Sequence, residues 1–380
     1  MRRVLARVLV AALVVTLLAG VALVVLDLFT PRRSPALVTW LPTAWEQPAD
    51  ALREKRQVAT RAYMGGIPAH LTCVGLTPDA FASVMARVDA RIEELTARWS
   101  AWRDDSVLTR LNASSEASFE VDAETATLLA RSRAFTEASE GALDVTVGPV
   151  VALWKAAEER DALPGAEELA GAKALVGPGL WSLEGRVVRR APGVRFDVNA
   201  IGEGAMADEA VSLLRDAGCG RVLVELGGDV GLWHAPGQPP FRIGVKDPAA
   251  PDRLLATLEV EGGAVDTSGD YSRFFTIGGR RYGHVVDPRT AAPVPAGIAS
   301  ATVVAPDTLT ADAGDTALVV LGWERAQQVV EERPELEAVL VHHDGRMWVS
   351  SGLQGKVHRV GEGSGDPPGG PTPSPGDQKR

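Results

Sequence analysis

Apolar side chains recur every three or four positions over residues 78–99, which is the period of a helix with one buried face. Two further helices are predicted over residues 123–138 and 206–217. Because helical and strand-like segments mix without strict alternation, we expect an α+β fold. Short runs of β-branched residues, which suit the pleated surface of a sheet, predict strands at 187–188, 194–198, 222–226, 301–305 and 338–341.

The longest apolar run lies near the N-terminus. Three arginines within residues 1–7 precede residues 8–26, which carry no charge and have Thr16 as their only polar side chain. This length matches the roughly 20 residues that cross a bilayer and exceeds the about 7–15 residues of a signal-peptide core. We therefore expect a basic cytoplasmic N-terminus, a single transmembrane anchor over 8–26 in the cytoplasmic (inner) membrane, and an extracytoplasmic (periplasmic) chain beyond it. A cleaved signal peptide is the alternative.

The rest of the chain divides into a linker, one large domain and a tail. Residues 27–59 carry four prolines and no clear periodicity, and are predicted to form a juxtamembrane linker. The globular domain is predicted over residues 60–358, followed by a Gly- and Pro-rich tail over 359–380 that is predicted to be disordered. The net charge of −10 argues against a nucleic-acid partner. Cys73 and Cys219 form no metal or redox motif, which leaves a single disulfide open.

Two stretches in the last third of the domain carry candidate chemistry. His284 lies at a predicted strand-to-turn transition, and Asp312 and Thr316 are four residues apart, a spacing that places both on one face of a helix. An imidazole near hard oxygen ligands suggests chemistry on a phosphate-containing ligand, with magnesium or calcium as the ion. The alternatives are a structural histidine and an N-terminal helix cap, so neither motif decides the function alone.

Glycine-rich turns follow several predicted strands. Gly202 and Gly204 precede a helix with a spacing close to the dinucleotide-binding fingerprint, but the neighbouring sequence lacks the repeated strand–helix units of that fold. A tight turn without a ligand, or a helix N-terminus whose amides face a phosphate, are the alternatives. Gly227, Gly228 and residues 267–271 suit contacts to phosphate or ribose, with ordinary turns as the alternative.

Taken in order, these segments resemble the ApbE family, the FAD:protein FMN transferases, over roughly residues 63–321. The resemblance implies a single large T-fold-like domain with FAD as substrate and Mg²⁺ as cofactor. It also implies transfer of FMN to a threonine of a target protein, with release of AMP. The matching motifs are Met64-Gly65-Gly66, residues 99–112, 141–149 with Leu153-Trp154, 197–208, 227–229, 267–271, 284–290, and Ala311-Asp312 with Thr316.

The resemblance further implies roles for individual residues. His284 matches the base that takes the threonine proton, while Asp312, Thr316 and the main-chain carbonyl of Gly202 match the magnesium ligands. The residues predicted to bind FAD are Met64, Gly65, Asn112, Asp144, Glu203, Gly227, Gly228, Asp229, Thr267, Ser268, Gly269, Asp270 and Arg289.

The chain departs from the family pattern at three positions. Glu203 stands where the family has lysine, Ala291 where it has glycine, and Gly66 where it has threonine. Replacing lysine by glutamate beside a pyrophosphate adds a repulsion unless a metal intervenes. Two alternative functions therefore stay open: a flavin-binding module that has lost transfer, and a magnesium-dependent FAD pyrophosphatase.

Overall fold

The structure, a computed structural model, describes residues 55–101, 103–269 and 274–360. The predicted anchor over 8–26 lies outside these ranges, as do most of the predicted linker and tail. None of the helices within the described ranges is long and apolar enough to cross a membrane.

The described helices are α1 (Pro78–Trp99), α2 (Val107–Ala113), α3 (Ala123–Ala138), α4 (Gly148–Glu159), α5 (Ala166–Lys173), α6 (Asn199–Asp216), α7 (Thr308–Leu321) and α8 (Trp323–Glu331). The described strands are β1 (Arg56–Tyr63), β2 (Ile67–Val74), β3 (Ser118–Glu120), β4 (Trp181–Glu184), β5 (Val187–Arg190), β6 (Arg221–Leu226), β7 (Asp229–His234), β8 (Phe241–Asp247), β9 (Ala250–Val260), β10 (Gly263–Gly269), β11 (Phe274–Ile277), β12 (Arg280–Gly283), β13 (Val286–Asp287), β14 (Ala292–Pro293), β15 (Ile298–Ala305), β16 (Glu337–His342), β17 (Met347–Val349) and β18 (Val357–Arg359).

A large antiparallel sheet organises the domain. Within the described residues it contains eight strands in the order β1-β2-β6-β7-β10-β15-β16-β17. Helices α1, α6 and α7 pack on one face, where Val88, Ala207 and Leu309 join the side chains of β2 and β6. The smaller sheet β18-β9-β8 covers the other face through residues such as Phe241 and Leu258. Helices and antiparallel strands are thus combined in one domain, as the predicted α+β class requires.

Two predicted helices are confirmed to the residue. Helix α1 begins at Pro78, which suits the first helical turn, and the hydroxyl of Thr77 accepts a hydrogen bond from the amide of Ala80. Helix α3 also has its predicted bounds, and its N-cap is Asp122, which accepts from the amides of Glu124 and Thr125. Local capping and apolar spacing are sufficient to define these two helices.

Several predicted elements differ from those of the structure. Helix α6 begins at Asn199 instead of residue 206, so it includes both glycines of the Gly-x-Gly motif. The predicted strand over 194–198 is wrong: its apolar side chains are buried, but its only pairing is an isolated bridge between Val147 and Arg195. Strand β1 begins at Arg56, inside the predicted linker, because residues 56–63 pair with β2 along their whole length. At the other end, β18 extends to Arg359.

A disulfide joins Cys73 at the end of β2 to Cys219 in the turn between α6 and β6. Both cysteines are buried, and they are separated by 146 positions in the sequence. The bridge therefore ties the helical layer to the central sheet.

Candidate active site

A cavity of about 560 Å³ lies where the first turns of α6, the β6–β7 turn, the C-terminal end of β10 and one face of α7 meet. The loop after β12 and helix α4 complete its wall. Its lining residues are Ala142–Val145, Val147, Val151, Lys155, Asp197, Asn199–Ile201, Glu203, Gly227–Asp229, Asp266–Gly269, Phe275, His284–Val286, Pro288, Asp312, Asp315 and Thr316.

Helix α7 presents Asp312 and Thr316 to this cavity. The helix starts at Thr308, and its cap is Asp307, whose carboxylate accepts from the amide of Thr310 at 2.8 Å. The alternative in which Asp312 belongs to the helix cap is therefore wrong. Asp312 instead accepts a hydrogen bond from the amide of Gly204 at 3.2 Å. The predicted pairing of Asp312 and Thr316 on one helical face is confirmed.

The Gly-x-Gly motif serves helix packing. A Cβ atom on Gly204 would lie 2.6 Å from the carbonyl oxygen of Thr308 and 2.9 Å from the Cα of Leu309. Only glycine therefore lets α6 approach the start of α7 this closely. The approach also brings the Gly204 amide to the Asp312 carboxylate. The dinucleotide-fingerprint interpretation is wrong, because the adjoining sheet is antiparallel and lacks the repeated βαβ units.

Four aspartates form a buried cluster at the base of the cavity. The carboxylates of Asp229, Asp266 and Asp312 offer oxygen atoms that all lie within 4.8 Å of one another. Asp315 is one helical turn from Asp312 and is 1% exposed. One carboxylate oxygen of Asp229 and one of Asp315 are buried without a hydrogen-bond partner. We call Asp229, Asp266, Asp312 and Asp315 the aspartate cluster.

Burial raises the pKa of three members of the aspartate cluster. For Asp229 and Asp315 the main cause is the loss of solvation, reinforced by repulsion from Asp266 and Asp312, and the pKa of each lies well above its ordinary value. Loss of solvation also raises the pKa of Asp266, although the amide of Thr267 donates to its carboxylate and opposes the shift. The cluster therefore favours any species that compensates its negative charge.

The donor chemistry of this site fits a divalent cation such as Mg²⁺. Carboxylate and hydroxyl oxygens are hard ligands, and the two partnerless buried oxygens of Asp229 and Asp315 are left for such an ion. Thr316 lies beside the cluster, with its hydroxyl 3.5 Å from that of Ser268. Gly202, the predicted main-chain ligand, is buried in α6 next to the lining residues Ile201 and Glu203.

His284 lines the cavity from the loop that follows β12. The indole of Trp154 supports the next connection, the turn between β13 and β14, by donating to the carbonyl of Ala291 at 2.9 Å. Ala291 has a φ of 59°, which lies in the left-handed region of the backbone. Glycine adopts this region most easily, and this is the physical reason for the family's glycine at this position. Alanine tolerates this conformation at a cost of about 1 kcal/mol.

Most of the predicted FAD-binding residues that the structure describes do line the cavity. Gly227 and Gly228 form the β6–β7 turn with φ values of 71° and 133°. Asp144 lies on the opposite wall, where its carboxylate accepts from the amide and hydroxyl of Thr146 at 2.8 and 2.6 Å. Asp270 lies outside the described residues. The remaining lining residues among the predicted set are Glu203, Asp229, Thr267, Ser268 and Gly269.

Asn112 and Arg289, two further residues predicted to bind FAD, make their hydrogen bonds within the framework around the cavity. The amide side chain of Asn112 donates to the carbonyl of Phe196 at 2.8 Å and accepts from its amide at 2.7 Å, which anchors the segment before α6. The guanidinium of Arg289 binds both carboxylate oxygens of Asp287 and the carbonyl of Val320. Both side chains hold the cavity walls and lie outside its lining.

Met64 and Gly65 also lie outside the cavity lining. They form the turn between β1 and β2, with φ values of 49° and 80°. Their motif therefore marks a hairpin turn that requires left-handed backbone.

Four charged residues of the cavity lining were not among the predicted site residues, namely Lys155, Asp197, Asp266 and Asp315. Asp266 directly precedes the predicted residue Thr267, and Asp315 directly precedes Thr316, so each was adjacent to a recognised motif. Lys155 approaches from α4, and its charge acts on Asp197. Only the three-dimensional structure brings these side chains to one cavity, because they come from separate strands and helices.

Comparisons with known proteins agree with this architecture. The ApbE family matches residues 65–340. A curated relative from Klebsiella pneumoniae, named FAD:protein FMN transferase, is 31% identical over 307 residues, which cover 77% of this chain and 86% of the relative. A relative of the same name from Treponema pallidum is 34% identical over 277 residues, covering 68% of this chain and 76% of the relative.

Solved structures give the same result. The ApbE protein of Thermotoga maritima aligns with a TM-score of 0.72 at 29% identity, covering 79% of this chain and 99% of that protein. The flavinyl transferase ApbE of Pseudomonas stutzeri aligns with a TM-score of 0.70 at 28% identity, covering 80% and 96% of the two chains. The predicted resemblance is confirmed, and this chain belongs to the ApbE family.

Proposed function

We propose that this chain is a membrane-anchored FAD:protein FMN transferase that uses Mg²⁺, attaches FMN to a threonine of an extracytoplasmic protein and releases AMP. The observation that carries the proposal is a single cavity in which His284, the Gly227–Gly228 turn, Asp312 and Thr316 lie together. Family membership and the names of the relatives support the same activity.

In the proposed reaction, the hydroxyl oxygen of the acceptor threonine attacks the phosphorus on the FMN side of the pyrophosphate. A new oxygen–phosphorus bond forms, the bond to the bridging oxygen breaks, and AMP leaves with that oxygen. His284 takes the hydroxyl proton, since imidazole is the side chain that most often performs general base catalysis. Its position in the wall of the cavity supports this assignment.

The other residues bind and orient the substrate. The positive φ values of Gly227 and Gly228 let the backbone approach a ligand closely. Glu203 also lines the cavity, where its charge would repel the pyrophosphate unless a cation lies between them. Bound by Asp312, Thr316 and the Gly202 carbonyl, Mg²⁺ would neutralise charge on the pyrophosphate.

The proposed location rests on two features. Residues 8–26 have the length and apolar composition of a membrane span, with arginines on the N-terminal side. The disulfide between Cys73 and Cys219 supports an oxidising compartment, because such bonds are rare in the cytoplasm. Protease added to intact spheroplasts should degrade the domain; full protection would contradict an extracytoplasmic location.

The activity can be tested with the full-length protein in detergent. It is incubated with FAD, Mg²⁺ and a threonine-containing acceptor protein, and covalent flavin is read as fluorescence of the denatured acceptor. We expect His284→Ala to lower the transfer rate by about 10²–10⁴-fold while FAD binding is retained. His358→Ala is the matched control, because this histidine is exposed on β18 and lies outside the cavity lining.

The products separate the alternative functions. Bound FAD without covalent product would contradict the transferase. AMP released without an acceptor would identify a FAD pyrophosphatase, and the absence of AMP under all conditions would leave a flavin-binding module.

A further inference from the structure

The hairpin of β11 and β12 connects the wall of the cavity to the surface of the domain. Phe275 of β11 lines the cavity, and β12 ends at Gly283, the residue before His284. An acceptor protein is too large to enter a cavity of about 560 Å³, so the residues on either side of its threonine must stay on the surface around His284. The hairpin is therefore part of the surface that an acceptor would contact.

The two faces of this hairpin differ in burial. Residues directly opposite each other in an antiparallel pair share a face, and Phe275 pairs with Tyr282 in this way. Their face also holds Ile277 and packs on α4, where the rings of Phe275 and Tyr282 lie 6.2 and 5.8 Å from that of Trp154. The opposite face points to solvent. We call its residues, Phe274, Thr276, Arg281 and Gly283, the outer hairpin face.

The outer hairpin face presents an aromatic ring and a guanidinium group to the solvent. Phe274 is 36% exposed, and within the described ranges it is the only aromatic residue among the exposed large hydrophobic side chains. The guanidinium of Arg281 lies 4.2 Å from the centroid of the Phe274 ring, a cation–π contact that orders both groups. Neither Arg281 nor the adjacent Arg280 forms an ion pair with another described residue. Exposed aromatic and arginine side chains are typical of protein–protein interfaces.

The outer hairpin face is preformed and has room for a ligand. The amide of Thr276 donates to the carboxylate of Glu158 at 2.7 Å, and that of Gly278 donates to Asp161 at 2.6 Å, so the hairpin is fixed to the end of α4. A surface that is already ordered loses little conformational entropy on binding. A Cβ atom on Gly283 would meet no heavy atom within 4 Å, which leaves open space immediately before His284.

Charge indicates which acceptor suits this face. The chain has a net charge of −10, and among the described residues seven acids and one lysine line the cavity. The two hairpin arginines therefore form a positive patch beside an acidic cavity. An acidic side chain of an acceptor would be attracted by Arg281 and repelled by the cavity, so the neutral threonine is the part that would enter.

We propose that the outer hairpin face docks an acidic segment of the acceptor protein next to the threonine that receives FMN. In this arrangement Arg281 binds a carboxylate of the segment, Phe274 packs against its apolar atoms, and the open space at Gly283 admits its backbone toward His284. The identity of the partner as a flavin acceptor rests on the proposed function, whereas the binding of an acidic segment by this face does not.

The binding of three fluorescently labelled peptides tests this face without FAD. Each peptide has one central threonine, and its flanking side chains are all aspartate, all asparagine or all lysine. The full-length protein in detergent is titrated against each peptide, and the dissociation constant is measured by fluorescence anisotropy. We expect the wild type to bind the aspartate peptide at least about tenfold more tightly than the lysine peptide, with a difference that shrinks as salt is added.

Variants locate the bound peptide. Arg281→Glu should reverse the preference, because the variant side chain attracts lysine and repels aspartate. Phe274→Ala should weaken the binding of all three peptides by about 2–10-fold, since it removes the exposed ring. Arg253→Glu is the matched control: this arginine is exposed on β9, outside the cavity lining, and its replacement should leave the preference of the wild type unchanged.

The outcomes are distinct. Equal affinity of the wild type for the three peptides would overturn the proposal, as would a preference for aspartate that persists in Arg281→Glu. Tighter binding of the lysine peptide by every variant would show that the acidic cavity attracts the peptides instead. Loss of self-association in Phe274→Ala, with unchanged peptide binding, would assign the face to a second copy of the chain and also overturn the proposal.

The transfer assay separates this inference from the proposed function. If both are correct, Arg281→Glu raises the KM for the acceptor protein and retains kcat, because docking changes while the base and the cavity do not. Absence of transfer by the wild type, with the preference for the aspartate peptide intact, would contradict the proposed function alone. Transfer by Arg281→Glu with an unchanged KM would contradict the docking face alone.

Discussion

The close packing of α6 against α7 can be tested by replacing Gly204 with alanine. The new Cβ atom would lie 2.6 Å from the carbonyl oxygen of Thr308 and 2.9 Å from both the nitrogen and the Cα of Leu309. All three atoms belong to the backbone, so no side chain can rotate away, and the start of α7 must shift. Because α7 carries Asp312, the shift would also disturb its hydrogen bond to the Gly204 amide.

The expected magnitude follows from two opposing effects. Alanine in place of glycine inside a helix stabilises by about 1 kcal/mol. Overpacking against a fixed neighbour costs about 1–3 kcal/mol. We therefore expect Gly204→Ala to lower the free energy of unfolding by up to about 2 kcal/mol, together with a weaker affinity for Mg²⁺.

Gly202→Ala is the matched control in the same helix. Its Cβ atom would meet only the Cγ2 atom of Val198, at the ordinary distance of 3.8 Å. Because this Cβ atom would clash with nothing, only the higher helix propensity of alanine acts. The variant should therefore be more stable than the wild type by up to about 1 kcal/mol. Thermal and denaturant unfolding of the full-length proteins, followed by tryptophan fluorescence, measures both changes. Equal stabilisation by the two substitutions would refute the proposed reason for Gly204.

Three further predictions follow from the described contacts. The disulfide between Cys73 and Cys219 closes a loop across 146 positions. Its reduction should therefore lower the free energy of unfolding by up to about 5 kcal/mol. An unchanged denaturation midpoint in the presence of reductant would contradict this prediction. The raised pKa values of Asp229 and Asp315 mean that the folded state binds more protons than the unfolded state above the ordinary value of 3.8. The metal-free protein should therefore lose stability as the pH rises above that ordinary value, and a flat profile in EDTA would count against this. Asn112→Ala should destabilise the fold by about 1–3 kcal/mol and leave the dissociation constant of FAD unchanged, whereas weaker FAD binding would place Asn112 in the site.

Local patterns in the sequence were sufficient for part of the fold. Helices α1 and α3 follow from apolar spacing and from their caps, Thr77 and Asp122. The relation between Asp312 and Thr316 needs only the geometry of one helix. The segment 194–198 shows the limit of this reasoning: its buried apolar residues resemble a strand, but strand formation requires a neighbouring strand with free backbone groups.

Only the tertiary structure decided the composition of the site. Asp229 and Asp266 adjoin Val230 and Val265, the last pair in the register of β7 and β10, and their carboxylate oxygens lie within 4.8 Å of each other. Asp315 joins them because α7 packs on that sheet. Helix–helix contact explains Gly204, and the pairing of the two cysteines depends on the pairing of β6 with β2. The sequence by itself determined the family, the order of the motifs and the face of α7 that carries Asp312 and Thr316, since these depend on residues a few positions apart. The aspartate cluster depends on contacts between distant segments, and no local spacing encodes them.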